Sequence, residues 1–493
     1  MSDTKTISTV TITVDGREVQ AEKGKPLIHA CHGEGVDVPH YCYHPGLTPV
    51  GSCRICQVEV QMGEMPGRVM VACRTPVAEG MVVSTQTPKA KETRRECLEF
   101  LLKNHPLDCP ICDKAGECTL QDYSFDENQG EGRSVEPRRN LEKRKDLGDV
   151  IMLDQERCIL CSRCVRFQEE IPKKPQLVVA DRGSHSTIEV WNDRPMTGKY
   201  QGNLADICPV GALTLKPFRF QARVWNLTKT ASACGECSKG CATTAEVLRK
   251  GEVKRFRPRY DGDVNEWWMC DIGRFAMDNV NFDERLPGGL LPNVDRGWEI
   301  VDAHAALGVT RDMLLTHTAP LIVVSPWMTN EEGAAVKTLG EHIGARLTFV
   351  SPAANDEKDD LLHTGDPCPN RRGLTELGFE ALDAEAALAA AAASASSMFI
   401  GERLGTLLGA DALAELPTAG RVILMSCEPL LSPAIDVAFG IPNQVERTGT
   451  WTNVDGIARQ LLPARQMPAG VWTTERLIET LDQMLTGAAE AKA

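Results

Sequence analysis

The placement of its cysteines constrains this chain more than any other sequence feature. It has nineteen cysteines in 493 residues, and all except Cys368 and Cys427 precede residue 271. Disulfides form in oxidising compartments and mainly support small secreted domains, whereas this chain is long enough for three or four domains. The cysteines are therefore predicted to be reduced thiolates that hold metal.

Charge and hydropathy exclude two broad classes of protein. The formal net charge of −14 disfavours a general nucleic-acid binder, which needs a basic surface. The most membrane-like stretch, residues 386–401, is mostly Ala and Ser. It is too short and too weakly apolar to cross a hydrocarbon layer about 30 Å thick, so a helix or a spacer is expected there. Membrane association is expected only through partner subunits.

Short patterns predict a small β-rich domain that ends near residue 85. Asp15-Gly16 lies between an alternating strand and a second extended segment, which is a strong signal for a β-hairpin. A short helix is expected around residues 26–34. Three further strands are expected at residues 57–60, 69–71 and 81–83.

The rest of the chain changes character near residue 296. Before that point, residues 88–122 are expected to be helical, and the mixed-charge segment 130–149 is interpreted as a solvated linker rather than a docking surface. Beyond it, a β–α–β pattern predicts a parallel sheet covered by helices. The expected elements are strands at 321–324, 346–350 and 421–425 and a helix at 330–344.

The first group of candidate ligands comprises Cys42, Cys53, Cys56 and Cys73. The close pair in this group can turn inward from one tight loop, while the other two thiolates arrive from flanking segments. One close pair with two outlying cysteines in a β-rich domain resembles plant-type ferredoxins, which hold a 2Fe–2S cluster. The spacing is not identical, because ten residues rather than four precede the pair. A structural zinc site is the alternative.

The second group combines three cysteines with one histidine: His105, Cys109, Cys112 and Cys118. Three thiolates can bind three corners of a 4Fe–4S cube, which leaves one iron for the imidazole. Because the group is one cysteine short of four, the histidine is predicted to be a ligand rather than a structural residue. A neutral imidazole removes one negative charge, so by analogy with Rieske centres the potential of this cluster should be raised.

The third group has the most specific spacing and comprises Cys158, Cys161, Cys164 and Cys208. Three cysteines at two-residue gaps followed by a remote Cys-Pro are typical of a 4Fe–4S site, whereas zinc ligands usually come in two pairs. Three arginines flank the loop: Arg157, Arg163 and Arg166. Their charge would favour the more negative reduced cluster, and solvated side chains are the alternative.

The fourth group comprises Cys234, Cys237, Cys241 and Cys270. The gap of three residues between its second and third members suits a 4Fe–4S loop, and Gly235 and Gly240 would allow the backbone to approach inorganic sulfide closely. Fifteen cysteines and one histidine thus fill sixteen ligand positions. The remaining cysteines are predicted to be small buried side chains: Cys31, Cys97, Cys368 and Cys427.

The sequence around these ligands resembles the family of G subunits of respiratory complex I, the NADH-quinone oxidoreductase, from Thr9 to about Phe282. The similarity runs through all four groups in order. It is carried by residues 41–45, 51–56, 75–77, 105–123, 157–164, 208–213 and 270–275, and residues 450–456 resemble the closing motif of the family. The resemblance implies one 2Fe–2S cluster in the first group and 4Fe–4S clusters in the other three. No catalytic residue and no molybdenum are expected.

The resemblance also implies an α+β multidomain fold. It consists of an N-terminal β-grasp 2Fe–2S ferredoxin-like domain, 4Fe–4S ferredoxin-like domains and a C-terminal α/β remnant of a molybdopterin-oxidoreductase domain, which is expected to be truncated. The predicted domains are a 2Fe–2S ferredoxin-like domain at 1–85, a His-Cys 4Fe–4S helical segment at 86–130, a 4Fe–4S ferredoxin-like domain at 131–225, a 4Fe–4S domain of molybdopterin-oxidoreductase type at 226–295 and the truncated α/β domain at 296–493.

By this resemblance the chain is expected to be an electron-relay subunit of the NADH-dehydrogenase module of the proton-translocating complex I. It would pass electrons from a flavin- and NADH-binding subunit toward a quinone-side iron–sulfur subunit. The chain contains neither Gly-x-Gly-x-x-Gly nor Gly-x-x-x-x-Gly-Lys-Ser/Thr, which agrees with NADH and flavin binding to a partner. The expected location is the peripheral arm, at the cytoplasmic face of the bacterial inner membrane.

Three other functions stay open on the sequence. A molybdenum enzyme such as an NAD-linked formate dehydrogenase has a similar cluster region, and Cys368 in its Pro-flanked loop would be a possible metal ligand. A subunit of a bidirectional NAD-linked hydrogenase would need the hydrogen-activating site on a partner. A non-redox zinc scaffold would be colourless when purified.

Overall fold

The structure is a computed structural model that describes residues 8–294, 297–317, 319–417 and 420–490. It divides into two compact units, Met1–Trp225 and Asn226–Ala493. Among the residues described, no helix is both long and apolar enough to cross a membrane.

The first sheet of the N-terminal unit confirms the predicted hairpin, helix and strands. Its elements are β1 Thr9–Val14, β2 Arg17–Glu22, α1 Leu27–Gly33, β3 Gln57–Met62, β4 Arg68–Val71 and β5 Met81–Ser84. The strand order is β2-β1-β5-β3-β4, with β1 and β5 parallel and the other pairs antiparallel. Asp15 and Gly16 have φ angles of 46° and 81°, as a two-residue hairpin turn with the twist of its strands requires.

The predicted helix over residues 88–122 is only partly right. Two helices lie in this region, α2 Pro88–Asn104 and α3 Thr119–Asp126. The first begins after Thr87, whose side-chain oxygen accepts a hydrogen bond of 3.2 Å from the backbone N–H of Ala90. It ends at His105 because Pro106 disfavours the helical conformation in the residue before it. The stretch from His105 to Cys118, which contains a 3₁₀ turn at Cys109–Ile111 but no α-helix, therefore carries the second ligand group.

Short elements form the remainder of the N-terminal unit. They are β6 Lys145–Asp146, β7 Ile151–Leu153, α4 Arg163–Glu170, β8 Leu177–Ala180, β9 Thr187–Val190, α5 Gly202–Ile207 and β10 Leu213–Leu215. Strands β10, β7 and β6 form one antiparallel sheet, and β8 and β9 form a hairpin. Residues 130–138 are exposed, in agreement with the first part of the solvated linker predicted at 130–149. The rest of that segment departs from the prediction, because it contains β6, the buried Leu147 and Lys143, which pairs with Asp108 at 2.6 Å. The third group lies where α4 begins and where α5 ends.

The C-terminal unit opens with a three-stranded antiparallel sheet. Its elements are β11 Leu227–Ala233, β12 Ala242–Leu248, β13 Val253–Pro258 and the short helix α6 Asp271–Arg274. The turn between β11 and β12 contains three members of the fourth group, and Cys270 lies directly before α6. The fourth group is therefore assembled from a hairpin turn and the start of a helix.

An eight-stranded sheet follows, in the order β15-β14-β21-β20-β19-β16-β17-β18. Strands β16 to β21 are parallel, and β14 and β15 form an antiparallel edge. The elements are β14 Gly289–Pro292, β15 Trp298–Val301, α7 Ala303–Thr316, β16 Leu321–Val324, α8 Asn330–Ile343, β17 Arg346–Val350, α9 Arg371–Leu377, β18 Glu380–Leu382, α10 Ala384–Ala393, β19 Ser396–Ile400, α11 Leu404–Leu408, β20 Arg421–Ser426 and β21 Val437–Gly440. The predicted β–α–β unit and the strand at 421–425 are confirmed.

Both faces of this sheet are covered, as its uninterrupted apolar strands require. Ile322 and Val324 belong to one core, and Leu321 and Val323 belong to the core on the other face. The stretch at 386–401, expected to be a helix or a spacer, is the end of α10 followed by the buried strand β19. The last elements of the chain are β22 Gly449–Thr452, β23 Ala458–Leu461 and α12 Thr474–Glu490.

A buried ion triad links the helices and loops of this unit. Arg447 is paired with Glu332 at 3.1 Å and with Glu402, and all three side chains are less than 5% exposed. We expect Arg447→Met to leave two buried carboxylates uncompensated, which costs about 3–5 kcal/mol in comparable cases. The measurement is the temperature at which far-UV circular dichroism reports unfolding.

The matched control for this substitution is Arg346→Met. Arg346 pairs with Glu380 at 2.8 Å, but both side chains are about half exposed. Exposed pairs contribute little, so this variant should unfold close to the wild-type temperature. Equal effects of the two substitutions would contradict the role given to the buried triad.

Candidate metal centres

The first group converges on one site. Cys42, Cys53 and Cys56 lie on the irregular segment between α1 and β3, and Cys73 follows β4. The backbone N–H of Cys42 donates to Cys53 Sγ at 3.4 Å. Hydrogen bonds join the thiol of Cys42 to those of Cys53 and Cys73, and the thiol of Cys56 to that of Cys73. They lower the pKa of Cys42 and raise the pKa values of Cys53 and Cys73.

The four members of the second group line one small pocket. Cys112 is buried, whereas Cys109 is exposed at the rim. Arg157 and Gly211 from the loops of the third group complete the lining. A Cβ atom on Gly211 would lie only 2.2 Å from Cys112 Sγ, so this position accepts only glycine without displacing the thiol.

His105 has the properties of a metal ligand. Burial, and then the charge of Arg157, lower its pKa to about 4, so the imidazole is neutral at physiological pH. Its Nδ1 atom is buried without a hydrogen-bond partner. A neutral ring whose buried Nδ1 atom has no partner suits a metal-bound histidine.

Replacement of Gly211 offers a test that touches no ligand. We expect Gly211→Ala to displace Cys112 and to reduce or abolish the spectroscopic signal of the second group, while the others persist. The measurement is electron paramagnetic resonance of the reduced protein together with its iron content. The control is Gly308→Ala, because no atom lies within 4 Å of a Cβ placed there. Retention of every signal in Gly211→Ala would contradict this geometry.

The third group surrounds an apolar cavity of about 370 Å³, with Leu153, Ile188 and Leu213 in its walls. Its loop turns sharply, since Leu160 and Ser162 have φ angles of 53° and 58°. Burial raises the pKa of Cys158 to about 12 and that of Cys161 to about 11. Thiols this strongly desolvated become thiolates only when cationic metal compensates their charge.

The flanking arginines are buried, so the alternative that they are solvated is wrong. Arg163 donates to the carbonyl oxygen of Ile207 at 3.0 Å and to that of Tyr43. Arg166 donates to the carbonyl oxygen of Cys42. The two side chains therefore tie the loop of the first group to the loop of the third, a connection that the sequence analysis missed.

The fourth group lies within the C-terminal unit. The backbone N–H of Cys234 donates to the carbonyl oxygen of Cys241 at 2.9 Å. Burial, followed by the charges of Cys241 and Cys270, raises the pKa of Cys234 well above its ordinary value. A Cβ atom on Gly273 would lie 2.5 Å from Cys234 Sγ. The backbone of α6 therefore packs directly against this thiol, and a larger residue at position 273 would displace it.

The loop of the fourth group occupies a distinctive place in the large sheet. Strand order reverses between β16 and β19, and in doubly wound sheets ligands bind at the carboxyl ends of such strands. Here Trp327, beyond β16, donates to the carbonyl oxygen of Gly235 at 2.8 Å. Arg403, beyond β19, pairs with Glu236 at 2.6 Å. The Cys234 loop is thus anchored in this crevice.

The glycines of this loop pack against protein side chains. A Cβ atom on Gly235 would meet Gln444 Oε1 at 2.4 Å, and one on Gly240 would meet Arg459 Cγ at 2.8 Å. Close packing within the unit therefore explains both glycines, while their expected approach to sulfide stays a prediction.

Three of the four unassigned cysteines are buried as predicted: Cys31, Cys368 and Cys427. Cys97 is only half-buried, and its Sγ accepts a hydrogen bond of 3.4 Å from Gln57. Cys368, the possible molybdenum ligand, is fully buried and accepts a hydrogen bond of 3.4 Å from Arg371.

One compact set of possible metal-ligand atoms lies outside the four groups. Across the described part of the chain, the set of three or more His, Cys, Asp or Glu ligand atoms that all lie within 4.8 Å of one another is His32, Asp37 and His40. That the four groups hold iron–sulfur clusters rather than zinc ions stays a prediction.

Comparison with known protein families agrees with these modules. Residues 8–88 match the 2Fe-2S iron-sulfur cluster binding domain, and residues 94–133 match the NADH-ubiquinone oxidoreductase-G iron-sulfur binding region. Residues 148–214 match the ferredoxin-like domain of NADH-quinone oxidoreductase subunit 3, and residues 227–281 match the molybdopterin oxidoreductase Fe4S4 domain. The chain is thus a multidomain iron–sulfur protein.

Individual relatives narrow this class. The chain is 38% identical over 308 residues to the G subunit of NADH-quinone oxidoreductase from Streptomyces coelicolor, an alignment that covers 62% of this chain and 36% of that protein. It is 39% identical over 306 residues to the mitochondrial NADH dehydrogenase [ubiquinone] iron-sulfur protein 1 of Solanum tuberosum. That alignment covers 62% of this chain and 40% of the potato protein. A chain in a crystal structure of an NAD+-reducing [NiFe]-hydrogenase is 29% identical, with a TM-score of 0.40, covering 44% of this chain and 92% of that one.

Over the part that these comparisons cover, the chain is a homologue of the NADH-quinone oxidoreductase G subunit. It carries 2Fe–2S and 4Fe–4S binding domains and an Fe4S4 domain of molybdopterin-oxidoreductase type, followed by a C-terminal domain built on a mixed sheet. It spans about two fifths of the length of the curated relatives it matches. The sixteen individual ligands, the number of clusters and the finer domain boundaries remain predictions.

Proposed function

We propose that this chain is an electron-relay subunit of the NADH-dehydrogenase module of complex I, taking electrons from a flavin- and NADH-binding subunit and passing them toward quinone. The proposed ligands are the four groups of four described above. When bound, one 2Fe–2S and three 4Fe–4S clusters would supply one-electron carriers. The observation that carries the proposal is the continuous contact between the three ligand groups of the N-terminal unit.

The third ligand group contacts both of the others. Arg163 and Arg166 join the loop of the first group to that of the third. Gly211, three residues after Cys208 of the third group, touches Cys112 of the second. Because the third group contacts both of the others, we infer that electrons cross the unit in the order first, third, second or the reverse.

The second group also has an exposed edge that suits electron transfer between subunits. Beside the exposed Cys109 lies an open surface depression. Two large side chains in its wall, Phe125 and Trp225, are 86% and 63% exposed. Exposed apolar surface of this kind often marks a protein interface. We infer that the quinone-side iron–sulfur subunit docks here, and that the flavin-bearing subunit docks nearer the first group.

The fourth group belongs to the other unit, and its loop is anchored by Trp327 and Arg403. We infer that it stabilises the crevice of the large sheet rather than joining the relay. The whole chain would then belong to the peripheral arm at the cytoplasmic face of the inner membrane, where partner subunits provide the membrane contact.

Stepwise reduction of the anaerobically purified full chain tests the proposal. Electron paramagnetic resonance should resolve one 2Fe–2S and three 4Fe–4S species, with about fourteen irons per chain. Iron, acid-labile sulfide, zinc and molybdenum are to be measured on the same sample. Absence of labile sulfide would overturn the cluster assignment, and stoichiometric molybdenum would favour a molybdenum enzyme over a relay.

A further inference from the structure

A compact set of metal-ligand atoms lies outside the four cysteine groups. The ligand atoms of His32, Asp37 and His40 lie within 4.8 Å of one another. None of these residues is used in the proposed relay. We propose that they form a separate mononuclear site for a divalent transition-metal ion of the Zn²⁺ type.

The local fold brings the three residues together. His32 lies in the last turn of α1, and Gly35, with a φ of 72°, reverses the chain directly after the helix. Val38 is fully buried and fixes the returning segment against the core. Asp37 and His40 on either side of this anchor are thereby held opposite the helix end.

Each imidazole can keep one nitrogen atom available for an ion. His40 Nδ1 lies 2.8 Å from the carbonyl oxygen of Val38. A carbonyl can only accept, so Nδ1 carries the proton and Nε2 keeps its lone pair. His32 Nε2 is buried without a hydrogen-bond partner and lies 3.9 Å from Asp37 Oδ1. The two rings are 5.1 Å apart between centroids, so small side-chain rotations suffice to close on one ion.

The donor set indicates the class of ion. Two imidazole nitrogens and one carboxylate oxygen suit Zn²⁺ and related ions, whereas Mg²⁺ prefers oxygen ligands. Asp37 is 70% exposed and His32 is 32% exposed at the side chain, so an ion and a completing water can reach the site. A bound ion would fasten the end of α1 to the segment that leads into Cys42.

Equilibrium dialysis of the cluster-loaded full chain against buffered Zn²⁺ tests this site, with zinc and iron measured on the same sample. We expect about one zinc per chain and no change in iron. His32→Gln and Asp37→Asn should each weaken zinc binding by about 100-fold, since even the loss of a supporting contact costs about 10- to 100-fold. Because Asp37 is exposed, its replacement leaves the fold intact.

The control variant is His29→Gln, which changes an exposed histidine of the same helix outside the set. It should bind zinc as tightly as the wild type. Zinc should raise the unfolding temperature of the wild type and of His29→Gln, but not that of His32→Gln or Asp37→Asn. Mg²⁺ in place of Zn²⁺ should have no effect. Failure of the wild type to bind zinc would overturn the site and leave only a His32–Asp37 ion pair. Zinc binding by His32→Gln and Asp37→Asn as tight as that of the wild type would also overturn it.

Discussion

Replacing Cys161 with alanine is expected to remove one 4Fe–4S signal from the assembled complex and to stop electron transfer to quinone. The third group contacts both other groups of the N-terminal unit and is the middle carrier of the proposed relay, so its loss is expected to interrupt electron flow between them. NADH oxidation by an artificial acceptor at the flavin should continue, because that reaction needs no group beyond the flavin. The measurement compares the two activities in the same preparation.

The matched control is Cys97→Ala, which changes a half-buried cysteine of the same unit outside all four groups. This variant should keep both activities and every signal. Since the ligands of the third group come from distant segments, loss of its cluster should also loosen the surrounding structure, so co-purification of the partner subunits must be verified. Normal quinone reduction by Cys161→Ala in an assembled complex would refute the assignment.

Local patterns were sufficient where neighbouring residues determine the structure. The Asp15-Gly16 turn predicts the first hairpin because few other residues adopt two successive positive φ angles. The apolar runs around residues 321–324 and 346–350 predict a buried parallel sheet because both faces of those strands are covered. The spacing of Cys158, Cys161 and Cys164 predicts a shared site in the same way, since one short loop carries all three thiols.

One local error was avoidable. The single helix predicted over residues 88–122 includes Pro106, although the residue before a proline is disfavoured in a helix. Given this rule, the break at His105 could have been predicted. The break matters because it turns His105 out of the helix and into the second group.

Contacts between distant segments could not be predicted from the sequence. Arg163 and Tyr43 are 120 residues apart along the chain, and no local pattern indicates that they meet. The same holds for Gly211 and Cys112, whose close approach depends on how two separate loops pack. The contacts of the third group with the other two and the requirement for this glycine thus follow only from the three-dimensional structure.

Replacing His105 with cysteine is expected to lower the reduction potential of the second group on the order of 100 mV. The wild-type imidazole is neutral, because burial lowers its pKa to about 4, whereas the new thiolate adds one negative charge. The two histidine ligands of Rieske centres raise the reduction potential by a few hundred millivolts relative to plant-type ferredoxins. A single histidine ligand should therefore account for about half of that difference.

A shift of this size would slow the relay measurably. For a one-electron step, about 59 mV changes the equilibrium constant tenfold. Reduction of the second group would therefore be disfavoured by about fiftyfold, and quinone reduction should fall while flavin-site activity stays constant. The measurement is a redox titration followed by electron paramagnetic resonance, with His29→Gln as the control. An unchanged potential in His105→Cys, with the cluster retained, would show that His105 is not a ligand.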